Sequence, residues 1–155
     1  MKWQETSEIP CSVARTLSVI GDRWTLLVIR NAFLGMQRYE QFHANLGVTR
    51  HVLADRLARL VEAEIMEKVL YQQRPPRYEY RLTEKGRDLH PILMMLTAWG
   101  DKWMAQEHGA PLLFKHTACG HVFTPKLACS ECAEEVLVSD VSPMIGPGMG
   151  KQKHA

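Results

Sequence analysis

Residues 49–82 read TRHVLADRLARLVEAEIMEKVLYQQRPPRYEYRL, and the fold is decided here. Leu53, Leu57, Leu60 and Val61 recur at i, i+4, i+7 and i+8, the stripe of an amphipathic helix that Thr49 can N-cap. His51, Asp55, Ala58 and Glu62 point the opposite way, flanked by Arg50, Ala54, Arg56 and Arg59. A face of arginines and small alanines is either an ordinary solvated surface or one smooth enough to approach base edges. The next segments favour the second. IMEKVLYQ and YEYRLT are strand-like, and the intervening QRPPR contains Pro75 and Pro76, which cannot continue a ladder. A helix followed by a hairpin whose tip carries Arg74 and Arg77 predicts a winged-helix arrangement.

Upstream, three short helices are expected. Pro10 suits a helix start and Gly21 a stop, with Val13, Leu17 and Ile20 at helical spacing between them. The segment RWTLLVIRNAFLG is apolar over most of its circumference (Trp24, Leu27, Val28, Ile29, Phe33), which predicts the centre of the core. Tyr39, Phe42 and Leu46 share a face in RYEQFHANL, and Gly47-Val48 predicts a tight turn. The first expectation is therefore a mainly α fold with a β-hairpin wing.

Downstream, Thr83 can cap TEKGRDLHPILMMLTAWGDKWMAQEHG. There Leu89, Ile92, Leu93, Leu96, Trp99 and Trp103 repeat at three- and four-residue intervals. Pro91 predicts a kink or restart. This stripe either packs on its own domain or, with two tryptophans in it, meets a second copy of the chain. Leu89, Ile92, Leu96, Trp99 and Trp103 are the expected dimer residues.

The chain has 155 residues, 46% hydrophobic and 23% charged, which excludes wholesale disorder. No apolar run approaches the roughly 20 residues needed to span a bilayer, and MKWQETSEIP has no secretory leader character, so a cytoplasmic, reducing setting is expected. Net charge is only +2, yet between Arg23 and Arg87 twelve basic residues, ten of them arginine, face seven acids. Arginine favours bidentate contact with phosphate and guanine. Arg38, Thr49, Arg50, His51, Asp55, Arg59, Arg74 and Arg77 are the candidate DNA contacts.

CSVARTLSVIGDRWTLLVIRNAFLG, RYEQF and the run from TRHVLADRLARLVEAE to RPPRYEYRLTEKG resemble the HxlR-type winged helix-turn-helix regulators over about residues 9–107. The resemblance implies a bacterial or archaeal dimeric regulator of palindromic operators, with residues 49–59 as recognition helix and 73–77 as wing. Several members of that family sense oxidants or electrophiles through a cysteine ahead of the first helix, where Cys11 stands. The alternative for Cys11 is a small buried hydrophobe.

After Gly109 the texture changes. His116, Cys119, His121, Cys129 and Cys132 fall within seventeen residues, as H-x2-C-G and then C-x2-C, with nine residues between Cys119 and Cys129. Paired donors on tight turns can close a tetrahedron about Zn²⁺, so His116, Cys119, Cys129 and Cys132 are the candidate ligands, with His121 as a substitute. An inert β-rich arm with free thiols and a redox dithiol at Cys129/Cys132 are the other readings; no thioredoxin-like βαβ pattern surrounds that pair. Leu112, Leu113, Phe114, Val122, Phe123, Leu127, Val136, Leu137 and Val138 imply that the arm packs on something. The expected organisation is residues 1–108 as winged helix and dimer helix, 109–141 as a small β-rich Cys/His arm, and 142–155 as a flexible Pro/Gly-rich tail.

No nucleophile elbow, phosphate loop, zincin helix or catalytic carboxylate pair appears, so an enzyme is not expected. His43, His51, His90 and His108 read most simply as surface or packing residues. The expected partners are double-stranded DNA and a second copy of the chain, with a small-molecule effector or a redox or metal signal as the open alternatives and no membrane.

Overall fold

The computed structural model describes residues 9–105 and 107–149. These divide into two compact units, one holding 9–88 and 146–149, the other 89–145. The boundary thus falls at Asp88/Leu89, ahead of the long helix that the sequence attached to the winged domain. Residues 1–8, on which the expectation of no secretory leader rested, and the last residues of the expected tail, 150–155, lie outside the described residues.

The first unit opens with α1 (Ser12–Ile20), α2 (Arg23–Phe33), α3 (Tyr39–Leu46) and α4 (Arg50–Glu62). Each boundary has a local cause. Gly21 closes α1 by donating its N–H to the Leu17 carbonyl at 2.8 Å. Asp22 caps α2, its Oδ1 accepting from the Trp24 and Thr25 N–H groups at 3.0 and 3.1 Å. Gly47 takes the left-handed φ of 63° that ends α3, and Thr49 caps α4 by accepting from the Val52 N–H at 3.4 Å.

The leucine stripe of α4 reads as expected, with Leu53, Leu57 and Leu60 fully buried. They meet Val28 and Ile29 of α2 and Phe42 of α3 in one core. Burial of each such side chain contributes about 1.5–3 kcal/mol. Asn31 is also fully buried, and is satisfied: it accepts from Arg30 Nη2 at 2.7 Å and donates to Asn45 at 2.8 Å, tying α2 to α3.

Helix α4 ends without a glycine. Glu64 adopts φ 57°, the Ile65 N–H bonds back to the Leu60 carbonyl at 2.9 Å and the Glu64 N–H to Val61 at 3.0 Å. This is a Schellman closure with Ile65 buried beside Leu60. It turns the chain directly into β1 (Met66–Gln72), which pairs antiparallel with β2 (Arg77–Leu82) from Met66↔Leu82 to Gln72↔Arg77. A bulge between Leu70 and Gln72 twists the hairpin ahead of its tip. The Gln72 side-chain amide closes that tip by donating to the Arg74 and Pro75 carbonyls, each at 3.2 Å.

Thr83 then caps the single turn α5 (Glu84–Arg87), accepting from the Gly86 N–H at 3.1 Å. The same hydroxyl donates to the Glu64 carbonyl at 2.6 Å, so the end of α4 and the start of α5 are locked together.

In the second unit, α6 (His90–Met104) carries Pro91 in its first turn, so the proline starts the helix and does not kink it. None of its residues is fully buried. Two small antiparallel pairings follow: β3 (Phe114–Lys115) with β4 (Val122–Phe123), and the bridge Ala128↔Glu135. The expected packing of the arm's apolar residues is only partly realised. Leu112, Phe114 and Val136 are half-buried, while Leu113, Val122, Leu127, Leu137 and Val138 are exposed, because a thirty-odd-residue arm has too little interior to cover them.

Candidate nucleic-acid interface

With its leucines committed to the core, α4 exposes the reverse face. Arg50, His51, Ala54, Ala58 and Arg59 are all exposed. The arginines are held rather than free. Arg50 Nη1 lies 2.9 Å from Glu40 Oε1 and its Nη2 3.3 Å from Oε2, a bidentate pair, and its guanidinium stands 5.8 Å from the Tyr39 ring centre. The Arg50 hydrogen bond holds the Glu40 carboxyl below its ordinary range, and Glu40 raises the guanidinium in turn. Both groups are solvent-exposed, so this pair orients Arg50 at little cost to exchange for another anion.

Asp55 has a different part from the one its position on the helical wheel implied. Its Oδ2 lies 2.9 Å from Arg56 Nη1 and 3.0 Å from Arg59 Nε, so it is occupied in aiming two guanidinium groups. Arg56 turns inward and reaches Asp22 Oδ1 at 2.9 Å; the contact is a charge pair out of line for a hydrogen bond, which Arg56 Nε lacks. It fixes α4 against the start of α2. The sequence placed Arg56 on the flank of the outward face without this anchoring role, because Asp22 lies thirty-four positions away.

Arg38 is likewise tied into the hairpin. Residue 38 bridges Glu79, the Tyr80 N–H donates to the Gln37 carbonyl at 2.7 Å, and the Arg38 guanidinium covers the Tyr71 ring at 4.7 Å. Its Nε is 3.4 Å from Glu79 Oε1, while Arg81 Nη2 takes the other oxygen at 2.9 Å. Arg81 first, then Arg38, hold the Glu79 carboxyl below its ordinary value despite burial pushing it up. Arg38 thus joins α3 to the wing while leaving over half of its side chain exposed.

At the wing, Arg74 and Arg77 are exposed at the tip. Between tip and α3 the structure shows a groove of about 620 Å³ lined by Arg38, Lys68 and Arg77, by Tyr39, Tyr71, Tyr78 and Tyr80, and by Glu40 and Pro76, with Lys68 Nζ 4.2 Å above the Tyr78 ring. This basic, aromatic groove escaped the sequence reading, since its parts come from three elements. The alternation of tyrosines at 78 and 80 was the available signal.

The remaining candidates lie elsewhere. Cys11 is exposed at the N-cap of α1, so it is not a core residue. Leu89 is half-buried, and Ile92, Leu96, Trp99 and Trp103 are exposed along α6. In the arm, His116 Nδ1 is 3.3 Å from Cys119 Sγ. The Cys129 thiol is pushed down by the N–H of Cys132, then that of Glu131, then the Cys132 thiol. All four cysteines are free, and among the described residues no three His, Cys, Asp or Glu side chains converge on one point. The donors stand as two pairs. No helix among the described residues is long and apolar enough to cross a membrane.

The HxlR-like helix-turn-helix family profile matches residues 19–108. Over 137 residues the chain is 44% identical to an uncharacterised HTH-type transcriptional regulator of Mycobacterium tuberculosis strain H37Rv, Rv3095, covering 88% of this chain and 87% of that one. Among solved structures, PA1607, a transcription-factor candidate, superimposes with a TM-score of 0.80 at 30% identity, over 90% of this chain and 98% of its own. The redox regulator HypR in its oxidised form aligns with a TM-score of 0.55 at 34% identity, over 59% of this chain and 96% of its own. With its capped helix, outward arginines and arginine-tipped wing, the chain belongs to the HxlR-like helix-turn-helix family of transcriptional regulators.

Proposed function

We propose that the protein is a homodimeric regulator of two-fold symmetric operators that acts in the cytoplasm by binding, without turnover. The observation that carries this is the division of α4 into a buried leucine face and an exposed face of Arg50, His51, Ala54, Ala58 and Arg59 beside the arginine-bearing wing tip. The alanines leave room for close approach to base edges in the major groove, and Thr49, Arg50, His51 and Arg59 reach bases or phosphates. On DNA, phosphate replaces Glu40 as the partner of Arg50. Arg38, Arg74 and Arg77 contact backbone or minor groove. A dimer reads half-sites about 34 Å apart.

Selection from random duplexes tests the reading: a palindrome is expected to be enriched, and selection that leaves the pool random overturns it. Within that frame, Arg77→Ala is expected to weaken all sequences alike and to reduce the salt slope of binding by about 1, the loss of one phosphate contact. A slope equal to that of the wild type removes Arg77 from the interface.

A second reading, oxidant sensing, is favoured by the exposure of the free Cys11 thiol at the N-cap of α1, where an oxidant can reach it. Mild peroxide is expected to join two Cys11 thiols from different chains, two protons and two electrons passing to the peroxide. Non-reducing electrophoresis of wild type and Cys11→Ser reads it: a link that persists in the variant assigns the chemistry to the arm instead.

A further inference from the structure

The C-terminal arm contains the same turn twice. In the first, the His116 N–H donates to the His121 carbonyl at 2.9 Å and the Gly120 N–H returns to the His116 carbonyl at 2.7 Å. In the second, the Cys129 N–H donates to the Glu134 carbonyl at 2.9 Å and the Ala133 N–H returns to the Cys129 carbonyl at 2.9 Å. Each turn places a metal-ligating residue at its first position and another three residues on: His116 and Cys119, then Cys129 and Cys132. Each is closed by a left-handed residue, Gly120 at φ 75° and Ala133 at φ 61°. An alanine there has no glycine-like freedom, so the second turn keeps its shape against local preference.

Both turns ride on short antiparallel pairings, β3 with β4 and Ala128 with Glu135, the latter flanked by the Lys126–Glu135 ion pair. The arm has almost no core of its own: Leu113, Val122 and Leu127 are each at least 60% exposed. Small segments with little to bury are commonly stapled by a metal. The thiols are free and Cys119 and Cys132 are exposed, which excludes their being buried packing residues.

We propose that His116, Cys119, Cys129 and Cys132 form a tetrahedral Zn²⁺ site that joins the two turns of the arm. One imidazole and three thiolates suit Zn²⁺ in donor softness and in number. The pairs stand apart among the described residues, and the nine residues from Gly120 to Ala128 that separate them contain only β4 as regular structure. Closing the second turn on the first assembles the tetrahedron. Binding expels the thiol protons of Cys119, Cys129 and Cys132. His121 lies outside the repeated positions, giving its carbonyl to the first turn. The site is independent of DNA binding, so failure of one reading leaves the other standing.

The test is native mass spectrometry of the full chain purified without chelator. One zinc per chain is expected in the wild type and in His121→Gln, and none in Cys129→Ser/Cys132→Ser. Metal-free wild-type protein that also takes up no stoichiometric Zn²⁺ on titration overturns the proposal, as does zinc retained by the double variant. If the double variant does not fold, Co²⁺ added to the metal-free wild type decides the matter. A tetrahedral thiolate spectrum, with release of up to about three protons per chain, supports the site, and an octahedral spectrum refutes it.

Discussion

Gly86→Ala is expected to destabilise the winged unit by at least the upper end of the ~1–3 kcal/mol typical of an overpacked position. Gly86 is buried in the single turn α5, and an added Cβ would drive into the carbonyl oxygen of Ile65, with the Ile65 carbonyl carbon and Leu82 Cδ2 both at 3.1 Å. The obstacle is backbone with no freedom to retreat. That carbonyl accepts from the Thr83 N–H at 3.1 Å, and Ile65 is itself fixed in the closure of α4. Relief therefore breaks the joint from which the hairpin projects, so the wing's aim suffers together with stability. Urea unfolding of the variant checks it. A loss below about 1 kcal/mol would mean that α5 moves off the Ile65 carbonyl and that the joint is looser than its hydrogen bonds indicate.

That joint also shows where the sequence was legible and where it was not. The leucines of α4 were readable because one-sided burial imposes a repeat; apolar residues of the predicted helices make most of the core, joined by Val48, Ile65 and Met66 from outside the helices and by the polar Thr25 and Asn31. Caps at Thr49 and Thr83 were readable because a hydroxyl before an apolar run has one economical use. The end of α4 was not. Its left-handed residue is Glu64, and nothing in VEAEI marks a stop that a glycine would have marked.

Charge was harder still. From sequence alone, Arg38, Asp55 and Arg56 belong to one basic surface, yet each has a partner that only the fold supplies: Glu79 for Arg38, Arg59 and Arg56 for Asp55, and Asp22 for Arg56. A face counted as cations is, in three dimensions, a set of arginines aimed by carboxylates. Spacing showed the donor pairs of the arm, whereas the repeated backbone pattern that holds them carries no side-chain signature beyond Gly120.

Trp99→Ala combined with Trp103→Ala is expected to raise the dissociation constant of the proposed dimer by about three orders of magnitude, from ~2 kcal/mol for each symmetric pair of tryptophans at the centre of an interface. Ile92, Leu96, Trp99 and Trp103 follow one another at intervals of four, three and four, the seam of a helix that packs against another helix. Trp99 is 58% exposed and Trp103 65%, and α6 buries none of its residues fully. A stripe of that size left in water would be costly, and in the proposed dimer a second copy of the chain would bring the identical stripe to cover it. A groove of about 620 Å³ in the same unit, bounded by both tryptophans with Leu112, Phe114 and Phe123, makes a small apolar ligand the competing occupant. Sedimentation separates the two. If the tryptophans seal a dimer, the double variant sediments as monomer, and its operator affinity falls further than that of Arg77→Ala because two half-sites are no longer bound together. If association is unchanged, the seam lies elsewhere and the tryptophans serve the groove.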